Sequence, residues 1–255
     1  MKTPTKQKSS LEAGAAAASP KVFHKRFDLL VVFCGATRED LGFSCAPDLG
    51  ILPCTVPGAS LETTRVGQHV TEGKILELVQ ALHATFDGVL VDSIFDTGVE
   101  LSREAFDGGP VVGCFLPACA QAALVGGRFG LLVVGAFEGG EQAAPQLLRD
   151  LAAKHGVRER LAFVHCLAAA AVPRDEEHHV VELCATLARR HDAAAVVVWG
   201  APVPGANALL RGRGDQTVVI DATLAGLNAV EGMMRQNLRP SRKLFPKSGS
   251  LKKLF

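Results

Sequence analysis

The sequence predicts an α/β fold built as two similar halves, each with a parallel sheet, and three observations carry that prediction. Short β-branched apolar runs alternate along the chain with stretches of helical spacing, the pattern of parallel strands joined by crossover helices. The stretch Phe86-Asp-Gly-Val-Leu-Val-Asp-Ser-Ile-Phe-Asp-Thr-Gly98 is echoed by Asp192-Ala-Ala-Ala-Val-Val-Val-Trp-Gly-Ala-Pro-Val-Pro-Gly205, each an apolar run that breaks off in small and polar residues before a Gly. Each is followed after a similar interval by a second run, Pro110-Val-Val-Gly113 and Thr217-Val-Val-Ile-Asp221. Two similar halves imply a pseudo-twofold axis.

In chain order, residues 1–26 carry lysines, paired serines and a Gly/Ala run with no buriable pattern, and are expected to be a disordered lead. A mitochondrial presequence is the alternative, since Glu12 is the only acid there. The first half is expected over 27–125. Phe27–Cys34 reads as a buried strand, Ile51–Val56 as a second before the turn at Pro57-Gly58, and Val66–Ala84 as a helix with Ile75, Leu78, Val79 and Leu82 on one face. Strand Gly88–Asp92, helix Gly98–Phe106, strand Val111–Phe115 and a helix from Pro117 to about Val125 complete it. The second half is expected over 126–238, with strand Phe129–Val134, helix Gln142–Lys154 and strand Leu161–Cys166. A helix opening at Pro173-Arg-Asp-Glu-Glu177 has acids in its first turn and Arg189-Arg190-His191 in its last, which suits the macrodipole. Strand Ala194–Trp199, a short helix near Pro204–Leu210, strand Val218–Ile220 and helix Thr223–Gln236 follow, and a basic tail occupies 239–255.

Composition narrows the function classes. The chain has 255 residues, long enough for a sizeable core, and no apolar run approaches the ~20 residues of a membrane span. Residues 1–26 hold six Lys/Arg and one acid, and residues 239–255 hold six Lys/Arg and none. That leaves 15 basic against 25 acidic residues between 27 and 238, about −10 net, which argues against nucleic acid as a partner. Seven cysteines without CxxC or Cys/His spacing indicate neither disulfides nor a metal site, and a reducing, cytoplasmic compartment is expected.

In open parallel sheets ligands bind beyond the carboxyl ends of the strands. The residues there point to a family. Gly58-Ala-Ser-Leu-Glu62 resembles the G-P-x-S-I-E stretch of the hydantoin racemase branch of the aspartate/glutamate racemase superfamily. Ser93-Ile-Phe-Asp-Thr-Gly98 resembles its C-x-x-D-P-G, Pro110-Val-Val-Gly113 its P-V-V-G, and Gly200-Ala-Pro-Val-Pro-Gly205 its G-C-x-x-x-G, in a consistent order over roughly residues 27–238. The resemblance implies two flavodoxin-like halves, a last helix crossing back to the first half, and a cofactor-free active site in the cleft between the halves. There one cysteine from each half would invert a carbon next to a carboxylate or carbonyl. By the same resemblance Thr37, Ser60, Glu62, Thr97, Gly200, Ala201 and Val203 are expected ligand contacts.

The two thiol positions read Ser93 and Ala201. A serine without a neighbouring base is a poor proton acceptor and a methyl group cannot act at all, so racemisation by two thiols is not available as written. Ser93 and Asp96 are left as catalytic candidates, with Asp92 flanking the serine on its other side. The alternative for Asp96 is a cap on the helix beginning near Thr97-Gly98. Cys34, Cys114 and Cys166 fall at strand ends, as relocated thiols or as small buried hydrophobes. His165 beside Cys166 points to the opposite face of its strand, and His178-His179 lie on a solvated helix face. Trp199 either packs in the core or stacks on a ligand.

The functions these residues allow are a racemase- or isomerase-like enzyme acting on a small carboxylate or carbonyl compound, a non-catalytic binding relative that lost both bases, and a cofactor-independent decarboxylase or lyase. For the tail, with its repeated Lys-Leu-Phe, solvation is the default. Docking on an acidic partner or a sister subunit, and hence a homo-oligomer, is the alternative.

Overall fold

The computed structural model describes residues 27–34, 48–57, 61–82, 85–138, 142–171 and 177–247. The expected disordered lead therefore lies outside the described residues, as do Thr37, Ser60 and two of the acids expected to open the helix after Pro173, Asp175 and Glu176.

The first half runs β1 (Phe27–Phe33), β2 (Leu49–Thr55), β3 (Leu61–Glu62), α1 (Arg65–Leu82), β4 (Gly88–Asp92), α2 (Val99–Ala105), β5 (Val111–Gly113) and α3 (Phe115–Val125). Its sheet is parallel, in the order β2-β1-β4-β5. Every residue of β4 is buried, as a central parallel strand covered on both faces requires. The edge strand β2 is half exposed and tolerates Pro53, whose missing N–H a central ladder could not spare. On α1, Ile75 and Val79 are fully buried, Leu78 and Leu82 pack beside them, and Thr64 closes the first turn by accepting from the Gly67 amide at 3.1 Å.

The second half runs β6 (Phe129–Gly135), β7 (Phe137–Glu138), α4 (Ala144–Lys154), β8 (Leu161–Ala168), α5 (Glu177–His191), β9 (Ala195–Trp199), α6 (Ala206–Gly212), β10 (Val218–Asp221) and α7 (Ala222–Arg235). Its sheet, β10-β9-β6-β8, is also parallel and repeats the first with β6, β8, β9 and β10 in the places of β1, β2, β4 and β5. The two halves exchange their last helices: α3 packs on β9 and β10 of the second sheet, α7 on β4 and β5 of the first, and the two helices pack on each other.

This exchange makes one core of two sheets. Leu29, Leu90 and Val112 of the first half share a buried cluster with Leu131, Val197 and Trp199 of the second, filled by Phe115, Ala118 and Val230 from the crossing helices. Separate clusters cover the outer face of each sheet, Val32, Ile75, Val91 and Phe106 on one and Leu132, Val180, Val196 and Leu210 on the other. A short parallel ladder between β3 and β7 joins the halves again, with Leu61 opposite Phe137. Two-residue strands carry no periodicity, so this pairing has no signature in the sequence.

The boundary between β5 and α3 differs from expectation. The strand expected over Val111–Phe115 stops at Gly113, and α3 starts at Phe115 rather than Pro117. Pro117 still falls in the first turn, where its missing N–H is harmless. The capping carboxyl described below decides where the helix begins. Among the described residues no helix is long and apolar enough to cross a membrane.

Candidate functional site

The central strands of the two sheets end against each other. Asp92, the last residue of β4, is 4% exposed, and its Oδ1 accepts three hydrogen bonds: from Trp199 Nε1 at 2.8 Å, from Thr223 Oγ1 at 3.0 Å and from Cys114 Sγ at 3.0 Å. Trp199 is the last residue of β9, so the two pseudo-equivalent strand ends touch through an N–H···O bond. Its indole lies in the shared core, the packing alternative for this residue, and its one polar hydrogen is satisfied. No local spacing connects Asp92 to Trp199 and Thr223; only the meeting of the two halves does.

The loop after β4 carries the catalytic candidates. Ser93 is 2% exposed; its hydroxyl donates to Thr97 Oγ1 at 3.3 Å and accepts from the Phe95 amide at 3.3 Å. Asp96 has a left-handed backbone, φ 51°, a conformation aspartate tolerates better than most residues. It does not cap α2, which begins after Gly98 with no side-chain cap. Its Oδ1 instead accepts from the Phe115 amide at 3.1 Å and caps α3.

Pseudosymmetry explains that choice. Val91 pairs with Gly113 as Val198 pairs with Asp221, so Gly113 and Asp221 hold equivalent positions. Asp221 caps α7 from its own strand end, through the Leu224 amide at 3.2 Å. At Gly113 the corresponding space is filled by Asp96: a Cβ there would lie 2.1 Å from its Oδ1. Glycine at 113 and a reaching aspartate at 96 together replace one local cap.

The same correspondence aligns the loops that follow β4 and β9. Gly98 and Gly205 precede α2 and α6 with φ of 75° and 68°, and counting back equally from each pairs Ser93 with Gly200 rather than with Ala201. Gly200 is exposed and also left-handed, φ 84°, and a Cβ on it would lie 1.8 Å from the Val134 carbonyl oxygen. Ala201 and Val203 are buried in the outer core of the second half. Thr97 is brought to Ser93. Glu62 lies on β3, its side chain outside the described residues.

Asp96 also faces a second neighbourhood. With Phe95 it lines a cavity of about 290 Å³ between α1 and α2 of the first half and α4 of the second, where Arg103, Lys154 and His155 also sit. His155 Nε2 is 3.7 Å from Asp96 Oδ2, and its ring lies 5.9 Å from that of Phe115. Burial pushes the Asp96 carboxyl up to about 6, against the lowering effect of the Phe115 amide and of Arg103 and Lys154. Burial, with Lys154 and Arg103, moves His155 down. His155 carried no sequence signal, because it meets Asp96 only through the packing of α4 on the first half.

Cys34 and Cys114 are not poised as bases. Burial, then the neighbouring Asp92, pushes Cys34 up to about 12, and the same two causes hold Cys114 well above the ordinary thiol range. His178 and His179 are exposed. Among the described residues no group of three or more His, Cys, Asp or Glu could hold a metal ion.

No protein-family model matches the sequence, and no curated protein matches it significantly. Solved structures do match. The allantoin racemase of Klebsiella pneumoniae superposes with a TM-score of 0.71 at 20% identity, over 89% of this chain and 98% of its own. The allantoin racemase of Pseudomonas fluorescens gives 0.73 at 19%, over 87% and 97%. An arylmalonate decarboxylase gives 0.59 at 13%, over 87% and 100%. The chain thus shares the fold of these solved racemases and of this decarboxylase, two parallel α/β halves about a pseudo-twofold axis.

Two outcomes follow. Trp199→Phe keeps the ring in the shared core and removes one donor from Asp92; it is expected to cost about 1–2 kcal/mol in urea unfolding, and an unchanged midpoint would show that the bond contributes nothing. For Asp96, the native carboxyl keeps its proton up to about pH 6 whereas the unfolded one, near 3.8, has lost it. Stability from this group is full below about pH 4 and declines as pH rises through 6, by roughly 3 kcal/mol. Asp96→Asn, which retains the acceptor for Phe115, is expected to flatten that decline in unfolding free energies measured from pH 4 to 7.

Proposed function

We propose that this protein binds a small carboxylate or carbonyl compound in the cleft between its halves and does not racemise it by a two-base mechanism. One observation carries this reading: the two thiol positions of the resemblance are Ser93, whose hydroxyl is hydrogen-bonded to Thr97, and Ala201, whose methyl group cannot take a proton. Two-sided proton transfer needs an ionisable group on each face of the reacting carbon. Binding needs only the scaffold, for which the fold shared with racemases and a decarboxylase is the support. In this reading Thr37, Ser60, Glu62, Thr97 and Gly200 surround the ligand, while Ala201 and Val203, expected as contacts, pack in the outer core.

A second reading has its own observation. Asp96 is a buried carboxyl titrating near 6 on the wall of a cavity between the halves, and a single such group suffices for one-sided proton transfer of the decarboxylase or lyase kind.

The test pairs binding with exchange. Thermal shifts with aspartate, glutamate, maleate, malonates and hydantoins are expected to reveal a ligand, and incubation of each in deuterated water is expected to leave its α-carbon hydrogen in place. Deuterium entering either enantiomer at equal rates overturns the binding reading. Deuterium entry or carbon dioxide release abolished by Asp96→Asn establishes the second.

A further inference from the structure

Residues 239–247 of the basic tail dock on their own chain. After α7 the segment 236–247 returns over the first half to the C-terminal end of α2. Arg239 Nη1 donates to the Asp107 carbonyl at 3.0 Å. Arg242 donates to the Arg103 carbonyl at 2.9 Å through Nη1 and to the Phe106 carbonyl at 2.8 Å through Nη2. Lys247 pairs with the Asp107 carboxylate. The Arg103 guanidinium carbon stands 5.3 Å from the centroid of the Phe245 ring, while Arg103 Nε donates to the Val111 carbonyl at 3.1 Å.

These contacts have one physical theme. The last carbonyls of a helix have no intrahelical donor, and cationic side chains at that end both satisfy them and complement the dipole. At the end of α2, only seven residues long, the carbonyls of Arg103 and of the following Phe106 are taken by an arginine from more than 130 residues away. A chain terminus is ordered only where something ties it down; here charge-assisted bonds and a cation–aromatic contact do so.

The helix so held is placed between two functional features. Its N-terminus follows directly from the loop bearing Ser93, Asp96 and Thr97, and its Arg103, gripped on one side by Phe245, lines the cavity that Asp96 enters. We propose that residues 239–247 are an intramolecular clasp on α2, whose release loosens the Ser93–Gly98 loop and opens the cavity between α2 and α4 without unfolding the rest of the chain. Each exposed contact is weak alone, but they act together because the tail is tethered a few residues away, at high effective concentration. Such a clasp is set to open before the core does.

Hydrogen exchange read by mass spectrometry on the full-length protein tests this. Arg242→Ala, Phe245→Ala and removal of residues 239–255 are each expected to speed exchange in residues 93–107 by about tenfold while leaving β9 and α5 unchanged. Asp107→Asn, which weakens the clasp from the helix side and leaves the tail sequence intact, is expected to act on the same residues, and 1 M salt to mimic it. Unaltered exchange over 93–107 in the tail variants overturns the clasp. Faster exchange spread equally over both halves also overturns it, since the segment would then be a general stabiliser of the fold.

Discussion

The organisation of this protein depends on a single buried carboxyl oxygen. Asp92 Oδ1 gathers an indole N–H from the second sheet, a hydroxyl from the last helix and a thiol from the residue that precedes α3. A polar group at a site with 4% exposure is costly unless paired, and here its partners come from segments that only the native arrangement brings together. Apolar contacts across the axis tolerate sliding. Three directional bonds to one atom define how the two central strands meet.

The repeat is preserved in architecture and broken in chemistry. Strand order, helix exchange and the left-handed glycines before α2 and α6 are duplicated. The residues at the duplicated positions are not: Asp92 faces Trp199, Gly113 matches Asp221, and Ser93 matches Gly200. Each difference removes a matched pair and substitutes a one-sided contact. The carboxyl that titrates near 6 belongs to one half only, and it caps a helix at the same time as it faces the cavity. A group with both duties links protonation to packing.

Much of the fold was legible because buried parallel strands are written as continuous apolar runs. Phe27–Phe33, Gly88–Asp92, Phe129–Gly135 and Ala195–Trp199 all lie within a residue or two of their expected bounds. The helix α1 announced itself by spacing. Ser93 and Asp96 could be picked out because motif order locates strand ends. The role of Asp96 could not be read, since whether it caps α2 or α3 depends on the empty space above Gly113, a property of two segments in contact.

The sequence alone determined the strand–helix alternation, the duplication and the absence of cysteine at the two motif positions, because these are local patterns and residue identities. Tertiary structure decided the rest. It turned Asp96 onto α3 rather than α2, gave Asp92 its partners Trp199 and Thr223, paired β3 with β7, brought His155 to Asp96 and laid residues 239–247 on α2. All five join residues distant in the chain, whose proximity arises when two sheets exchange helices across one axis, and no local pattern records that exchange.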